Sequence, residues 1–340
     1  MKGKRVFVGL SGGVDSAVTA ALLKREGAEV VGVFIKGWYP PGMPCTWAAE
    51  RRDAMRVAAA LGIPFHTLDA SDEYRRSVID YLLAEYRTGR TPNPDIMCNR
   101  EVKFGAFYRF AREQGADYIA TGHYAQTNEG RLYRGEDASK DQSYFLWAVP
   151  KEVLSHTLFP LGPLKKQETR ELAKRFKLPV ATKKDSQGIC FLGSVSVEDF
   201  LRNEFGSEEG EAVDVEGKVV GNHDGVLLHT LGERVALTDA EPGPWYVVGK
   251  DIEKRELVVS RTSAALPSNP SIELRETNWF SDAGGTVTAQ YRYHGPVVEG
   301  MLSEDRSRFT PTVPLTEPVA AGQSLVIYRD TECIGGGIIS

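Results

Sequence analysis

The sequence is short of cysteine and has no long hydrophobic run. Four of its 340 residues are cysteines, Cys45, Cys98, Cys190 and Cys333, and they lack paired spacing. We therefore expect a reducing, cytoplasmic location, where a cysteine is reactive or inert and not part of a structural disulfide. No apolar run approaches the roughly 18 residues of a membrane-spanning helix. The first residues lead straight into a strand, so we expect neither a signal peptide nor a membrane partner.

The sequence also has no large excess of either charge. Its net charge is −5, with 41% hydrophobic and 26% charged residues, which is typical of a soluble globular protein of more than one domain. A negative net charge argues against a protein that binds nucleic acid. Residues 165–184 differ, because they hold eight Lys or Arg against two Glu. That run is either a solvated helix face or a contact surface for a phosphate backbone.

Residues 9–16 read Gly-Leu-Ser-Gly-Gly-Val-Asp-Ser and directly follow an apolar run. Gly12 and Gly13 would let backbone N–H groups close around a phosphate. Asp15 and Ser16 would begin a helix, whose dipole favours an anion. The run has neither the Gly-Lys-Ser/Thr ending of a Walker loop nor a dinucleotide Gly-x-Gly-x-x-Gly pattern. It predicts a phosphate site, with an ordinary glycine-rich turn as the alternative.

The first 204 residues alternate between strand and helix patterns. Strands are predicted over residues 5–10, 29–34, 65–68 and 118–121, and helices over residues 17–26, 48–61, 73–86 and 102–114. This alternation predicts an α/β fold with a doubly wound parallel sheet and ligands at the carboxyl ends of its strands. Gly12, Gly13, Gly122 and His123 all fall at such ends.

After residue 204 the pattern changes to short β-like runs separated by Gly, Pro and Asp. Runs at residues 213–220, 225–229, 245–248 and 256–260 predict a small β-rich unit. Further runs at residues 287–293, 297–302 and 324–328 predict a second one. We therefore predict three domains, over residues 1–204, 205–267 and 268–340.

Two polar loops each hold a cysteine. Residues 89–100 contain two prolines and two asparagines, which predict a rigid, non-helical loop just before a helix. Cys98 would then lie near that helix's N-terminus, which lowers a thiol pKa. Cys190 lies in a glycine-bearing loop beside Lys183 and Lys184. Both cysteines are predicted to be reactive, with an inert buried thiol as the alternative.

The other two cysteines, Cys45 and Cys333, lie in no such loop and are predicted to be inert.

Residues 11–16 resemble the pyrophosphatase loop of the N-type ATP pyrophosphatase superfamily, and the whole chain resembles the bacterial-type tRNA-specific 2-thiouridylases. The motifs that carry this resemblance are residues 11–16, Asn93-Pro94-Asp95 with Cys98-Asn99, and residues 121–125, 140–146, 185–191 and 335–339. They occur in order along nearly the entire chain. The resemblance implies an adenine nucleotide alpha hydrolase-like domain, a small β-rich domain that contacts tRNA, and a C-terminal β-barrel.

The resemblance also implies a reaction. Such enzymes adenylate the C2 carbonyl oxygen of the wobble uridine (position 34) in tRNA with ATP, releasing pyrophosphate, and then replace that oxygen with sulfur. Cys190 would carry the sulfur as a persulfide. Cys98 would act as nucleophile and close a transient disulfide with Cys190. Asp95 would be an acid/base or orienting carboxylate, with helix capping as the alternative.

The resemblance further implies the contacts of each substrate. ATP, with Mg²⁺, would contact Gly9, Leu10, Ser11, Gly12, Gly13, Val14, Asp15, Ser16, Ile35 and Gly122. The tRNA would contact Asn93, Pro94, Asp95, His123, Lys140, Asp141, Gln142, Arg292, Tyr293 and Gln323. A sulfur-donor protein of a cysteine desulfurase pathway is the implied second partner.

Two positions depart from the family pattern. Ile35 stands where relatives often have methionine, a change that a backbone contact to adenine would survive. Glu233 stands where relatives usually have glutamine, and a carboxylate there opposes RNA docking by that loop.

Three alternatives stay open from the sequence. A ligase or amidase with the same ATP loop would not need the cysteine pair. A tRNA-binding protein gated by ATP would transfer no sulfur. Asp95, Cys98 and Cys190 could instead ligate three irons of an iron–sulfur cluster, which we consider the less favoured use of these residues.

Overall fold

The computed structural model describes residues 1–40, 47–184, 196–262, 271–282, 285–315 and 318–340. In chain order its strands are β1 (Arg5–Gly9), β2 (Glu29–Lys36), β3 (Phe65–Asp69), β4 (Tyr118–Ala120), β5 (Ala125–Asn128), β6 (Arg131–Arg134), β7 (Thr157–Leu158), β8 (Gly210–Val213), β9 (Val219–His223), β10 (Arg234–Val235), β11 (Trp245–Asp251), β12 (Glu256–Ser260), β13 (Ile272–Trp279), β14 (Gly285–Gln290), β15 (Val297–Leu302), β16 (Arg308–Pro311), β17 (Ser324–Arg329) and β18 (Glu332–Ile339).

The helices lie mainly in the first half. They are α1 (Val14–Arg25), α2 (Trp47–Leu61), α3 (Ser71–Tyr74, continued by a π-helical turn, Arg75–Ile79, and by Asp80–Arg87), α4 (Pro94–Met97, continued by a π-helical segment, Cys98–Ala106, and by Phe107–Glu113), α5 (Lys151–Ser155), α6 (Lys166–Arg175) and α7 (Val197–Phe205). Short 3-10 turns span Ser143–Leu146 and Val226–Leu228. Within the described residues, no helix is long and apolar enough to cross a membrane.

The first sheet is parallel and has the strand order β3-β2-β1-β4-β7. Val6, Phe7 and Val8 of β1 are completely buried, as expected of a strand covered on both faces. Phe7 packs with α3 and α4 on one face, while Val6 and Val8 pack with α1 and α2 on the other. The predicted doubly wound α/β fold is confirmed.

The second sheet is small and has the order β10-β11-β12-β8-β9. Two predicted strands were wrong here. Residues 225–229 form a 3-10 turn, because Gly225 adopts a φ of 154° that interrupts an extended chain. Residues 213–220 are split by a turn in which the Asp214 carboxylate accepts hydrogen bonds from the backbone N–H groups of Glu216 and Lys218.

The third sheet is antiparallel and closes on itself. Its order β13-β16-β15-β14-β17-β18 returns to β13 through the β13–β18 pairing, which makes a barrel. The hairpin β5–β6 extends this sheet, because β6 pairs with β18 through Tyr133 opposite Glu332. A hairpin from within the first 204 residues is thus hydrogen-bonded to the C-terminal barrel, a pairing that the sequence analysis did not predict.

Helix α4 begins earlier than expected. Residues 94–100 were predicted to be non-helical, but the helix starts at Pro94 and runs through Cys98 without a break. Asn93 is its N-cap, and the Asn93 Oδ1 accepts a hydrogen bond from the Asp95 N–H at 3.1 Å. Proline is favoured in the first helical position, and asparagine is among the best N-caps. The motif that suggested a loop therefore starts a helix.

Candidate active site

Residues 9–16, here called the phosphate loop, connect β1 to α1. Gly12 has a φ of +76°, and a Cβ there would lie 2.4 Å from the Glu50 carbonyl oxygen, so only glycine fits. The Ser16 hydroxyl accepts a hydrogen bond from the Ser11 N–H at 3.2 Å and donates one to the Gly13 carbonyl at 3.3 Å. The loop is thus held in one shape by its own serines.

The phosphate loop lies against the end of β4. A Cβ on Gly122 would lie 2.8 Å from the Ser16 nitrogen, so this close approach requires glycine. Among the other predicted ATP contacts, Leu10 and Val14 have buried side chains, and the Leu10 N–H donates to the Val33 carbonyl of β2 at 2.7 Å. Ile35, at the end of β2, is half-buried and lies next to Gly9. The structure therefore brings these predicted ATP residues together at the carboxyl end of the sheet.

Asp15 is held by two side chains from outside the loop. The Lys166 ammonium, at the start of α6, lies 2.8 Å from both Asp15 carboxylate oxygens. The Tyr124 hydroxyl donates to the same carboxylate at 3.1 Å. Lys166 is mostly buried, with 15% of its side chain exposed, so this ion pair is shielded from solvent.

A second lysine contacts the phosphate loop itself. The Lys183 Nζ donates to the Gly12 carbonyl at 3.1 Å and pairs with the Asp53 carboxylate at 2.7 Å. Neither lysine was predicted as a site residue, because residues 165–184 were interpreted as a solvated helix face or an RNA surface. The charge excess in that segment was the only signal. The loop has no lysine of its own, and these two come from 151 and 171 positions away.

Cys98 lies on α4, at the first residue of its π-helical segment, and is 4% exposed. π-Helical segments of this kind are frequent at functional sites. Cys190 and Cys45 lie outside the described residues, so the Cys98–Cys190 disulfide stays a prediction. Cys333 is completely buried in the barrel, and burial raises the pKa of its thiol, which keeps that thiol protonated. This environment agrees with an inert Cys333.

Asp95 lies one turn before Cys98 on α4. Burial raises the pKa of the Asp95 carboxyl, and the charge of Lys103 offsets part of that rise. The capping alternative for Asp95 was wrong, because Asn93 is the N-cap and Asp95 contributes only its backbone N–H. The Asp95 side chain is therefore not used by the cap.

His123 connects the phosphate loop to α4. Its ring packs against Phe104 of α4 at 5.7 Å between ring centroids, and against Phe159 at 6.0 Å. The His123 Nδ1 lies 2.8 Å from the Thr121 hydroxyl. Burial, followed by the nearby Lys103 charge, lowers the His123 pKa well below its usual value. The imidazole is therefore neutral at physiological pH.

The predicted tRNA contacts at residues 140–142 differ in exposure. Lys140 is half-exposed. Asp141 is buried, and its carboxylate accepts hydrogen bonds from Arg134, the Gly135 N–H, and the Ser143 N–H and hydroxyl. The Gln142 Oε1 accepts from the Tyr124 N–H at 3.0 Å. Asp141 and Gln142 thus shape the loop, and an RNA contact from either side chain stays a prediction.

Two further predicted tRNA contacts lie on the barrel beside this loop. Arg292 is exposed, and Tyr293 is 36% exposed. The Tyr293 ring lies 4.4 Å from the Phe145 ring between centroids, at an angle of 47°. These two rings form an aromatic surface that a nucleic acid base could stack on.

Gln323 holds a loop of the first domain. Its Nε2 donates to the Thr91 carbonyl at 2.7 Å, and the Thr91 N–H donates to the Ala321 carbonyl at 2.8 Å. The Thr91 hydroxyl also lies 3.4 Å from that of Thr230, in the segment that leads into β10 of the second sheet. All three sheet units meet at Thr91, two residues before the cap of α4.

Three protein-family models match successive parts of the chain. They are a tRNA methyl transferase HUP domain over residues 4–194, a tRNA methyl transferase PRC-barrel domain over residues 198–261, and an aminomethyltransferase beta-barrel domain over residues 269–339. The chain is 43% identical to the tRNA-specific 2-thiouridylase MnmA of Serratia proteamaculans, over 99% of this chain and 97% of the relative. It is 41% identical to the protein of the same name from Enterococcus faecalis, over 98% and 95%. The chain belongs to the tRNA-specific 2-thiouridylase family.

Solved structures resemble this member of the family more distantly. A 4-thiouridine synthetase in complex with RNA and ATP covers 59% of this chain and 49% of its own, with 20% identity and a TM-score of 0.37. The U34-tRNA thiolase NcsA of Methanococcus maripaludis, which has a [4Fe-4S] cluster, covers 60% and 67%, with 18% identity and a TM-score of 0.37. Likeness at this level does not identify a shared activity.

Glu233, where this family member departs from the usual glutamine, is paired within the protein. Its carboxylate lies 3.2 Å from the His229 Nδ1 and accepts from the Thr230 N–H at 2.8 Å. The other ring nitrogen of His229 lies 3.0 Å from the Asp224 carboxylate. Burial opposes the charged histidine, but its two carboxylate partners raise the His229 pKa overall. The raised pKa favours the charged form of His229, which is the form that compensates the Glu233 charge.

Proposed function

We propose that this chain is a tRNA 2-thiouridine synthase, which replaces the C2 oxygen of the wobble uridine with sulfur at the expense of ATP. The observation that carries this proposal is the position of Cys98. Its helix packs, through Phe104 and His123, against the end of the sheet that holds the phosphate loop. Family membership along nearly the full length supports the same function.

ATP activates the carbonyl. The uridine O2 attacks the α-phosphorus, an O–P bond forms, and pyrophosphate leaves with the electron pair of the broken P–O bond. The phosphate loop offers backbone N–H groups and a helix N-terminus to the leaving phosphates. Lys166 and Lys183 provide the positive charge that the loop lacks. Mg²⁺ would neutralise the phosphates, with Asp15 and Asp53 as the nearby carboxylates.

Sulfur transfer then uses the cysteine pair. The terminal sulfur of a Cys190 persulfide attacks C2, and AMP leaves with the original oxygen. The Cys98 thiolate next attacks the Cys190 sulfur, releasing 2-thiouridine and closing a Cys98–Cys190 disulfide, which an external dithiol must reduce before the next cycle. Lys183 lies seven positions before Cys190 and contacts the phosphate loop.

Asp95 has the properties of an acid/base or orienting group. A carboxyl with a raised pKa on the same helix face as Cys98, one turn away, keeps its proton to a higher pH than an ordinary aspartate and can exchange that proton with a neighbouring group. The tRNA backbone would lie along the basic residues of α6, and the target base would leave the anticodon stack to reach Cys190. A cytoplasmic sulfur-donor protein would load Cys190.

The test is incubation of the protein with unmodified tRNA, ATP, Mg²⁺ and a sulfide or persulfide source, followed by mass spectrometry of the nucleosides. Formation of 2-thiouridine supports the proposal, and its absence under every sulfur supply overturns it. Pyrophosphate release without sulfur incorporation favours an ATP-gated binder or an amidase-type relative. Iron and sulfide quantification after anaerobic purification tests the cluster alternative.

A further inference from the structure

Asn99, next to Cys98, has a buried polar atom without a partner. The residue is 2% exposed, and its Nδ2 donates to the Phe145 carbonyl at 3.0 Å. Among the described residues, its Oδ1 has no hydrogen-bond partner, and the atom has no contact with solvent. A buried acceptor left unpaired costs on the order of 1–3 kcal/mol, so such atoms are uncommon and need a physical reason.

The orientation of the Asn99 amide is fixed by its neighbour. A carbonyl oxygen can only accept a hydrogen bond, so the Phe145 carbonyl must face the Nδ2 group. Turning the amide around would bring two acceptors together and leave the donor without a partner. The unpaired atom is therefore an acceptor, and the ligand that satisfies it must present an N–H or O–H group.

The surroundings indicate which ligand that is. Phe145, whose carbonyl holds Asn99, is the residue whose ring packs on the half-exposed Tyr293. Asn99 therefore directly follows the thiol-bearing residue of α4 and is hydrogen-bonded to a residue of the aromatic surface. A base stacked on aromatic rings beside Cys98 would present its edge toward this side chain.

We propose that the Asn99 Oδ1 accepts a hydrogen bond from the N3–H of the target uracil and thereby selects uracil over cytosine. This inference rests on the proposed function. Uracil has one ring N–H free for such a bond, at N3, and N3 is bonded directly to the C2 that must receive sulfur. Cytosine has an unprotonated N3, which would place one acceptor against another at Asn99. Asn99 is thus a specificity-determining residue.

The variant that tests this role is Asn99→Leu, which removes the acceptor with little change of volume. The probes are anticodon stem–loop RNAs that differ only in uridine or cytidine at the wobble position, with binding measured in the presence of ATP. The unmodified protein should bind the uridine RNA at least ten times more tightly, and the variant should bind both RNAs with nearly equal affinity. If the variant keeps the preference for the uridine RNA, the proposal is overturned, because loss of a purely structural Asn99 would weaken the binding of both RNAs alike.

A second measurement needs no variant, in case Asn99→Leu does not fold. A stem–loop with 3-methyluridine has no N3–H and should bind at least ten times more weakly than the uridine RNA. The control, 5-methyluridine, adds the same methyl group and keeps N3–H, so it should bind within about twofold of uridine. Equal binding of the two methylated RNAs overturns the proposal. Thiolation of the uridine RNA by the unmodified protein, measured alongside, shows separately whether the proposed function itself holds.

Discussion

At the scale of single residues, the pairing of Lys166 with Asp15 gives the sharpest test of the phosphate loop. Replacing Lys166 by methionine keeps most of the side-chain volume but leaves the Asp15 carboxylate without its cationic partner beside the phosphates. We expect the ATP dissociation constant to rise about tenfold to a hundredfold, since a hydrogen bond to a charged group contributes roughly 1.5–3 kcal/mol. Isothermal titration with ATP measures this change.

The matched control is Lys174→Met on the same helix, where the lysine is exposed. Its ATP affinity should stay within twofold of the unmodified protein. Equal ATP affinities for the two variants would contradict a role for Lys166 at the loop.

The ion pairs that His229 forms with Glu233 and Asp224 should make the stability of the protein depend on pH. The pKa of His229 is raised by folding. Its contribution to stability is therefore complete at pH values below its pKa in the unfolded chain, and it is lost as the pH rises through its pKa in the folded protein. The pKa values of Glu233 and Asp224 are lowered by folding. Their contributions to stability are therefore lost as the pH falls through their pKa values in the folded protein. The ion-pair cluster of Glu233, His229 and Asp224 therefore stabilises the fold most where the histidine is still protonated and both carboxyls are ionised, near pH 6.

Glu233→Gln should cost about 1 kcal/mol near pH 6 and clearly less at pH 8.5, as thermal unfolding at each pH would show. The cost is small because the Glu233 side chain is 39% exposed and partly screened. Glu211→Gln, an exposed position in the same sheet, should have no effect at either pH. A cost for Glu233→Gln that does not vary with pH would contradict a charged His229.

At the scale of elements, the loop before α4 depends on Gln323. Because the Gln323 amide holds the Thr91 carbonyl, Gln323→Leu should release residues 88–93 and disorder the start of α4. We expect faster amide hydrogen exchange in this loop without any RNA present, by roughly fivefold for a lost contribution of ~1 kcal/mol. The exposed Gln114→Leu should leave that exchange unchanged. If amide hydrogen exchange in residues 88–93 is unaltered in Gln323→Leu, the Gln323 side chain contacts only RNA and does not hold this loop.

Local patterns were predictable from sequence, and distant contacts were not. The buried run of β1 and the glycines of the phosphate loop specify strand, turn and helix within a few residues. The Lys166–Asp15 contact spans 151 positions, and no local pattern distinguishes Lys166 from its exposed neighbours. The start of α4 was mistaken for a loop, because Asn93 and Pro94 favour both turns and helix starts. Residues 225–229 were apolar enough for a strand, but the backbone of Gly225 prevented one.

At the scale of the whole molecule, one buried carboxylate joins the first domain to the barrel. Glu85 on α3 is 8% exposed at its side chain and is paired with Arg90 by two hydrogen bonds of 2.8 and 2.9 Å. It is also paired with Arg275 of β13. Burial opposes its ionisation, but the two arginines lower the Glu85 pKa overall. The carboxylate is therefore charged and links two sheet units.

Glu85→Gln should destabilise the protein by about 2 kcal/mol, because it leaves two arginines without their common partner. The unfolding temperature should fall by several degrees, while the β6–β18 pairing still holds the barrel to the first domain. Glu273→Gln removes an exposed pair with Arg308 and should change little. An unchanged unfolding temperature in Glu85→Gln would show that the two units are joined by other contacts.

In the whole molecule, ATP activation and sulfur transfer should use two separate parts of one site. Mass spectrometry of tRNA nucleosides, with pyrophosphate release followed in the same reaction, tests it most directly. The unmodified protein should make 2-thiouridine and release pyrophosphate. Cys98→Ser and Cys190→Ser should each make no 2-thiouridine while still binding ATP and activating the tRNA. Thiolation that survives in both cysteine variants, or that is absent in the unmodified protein under every sulfur supply, would contradict the claim.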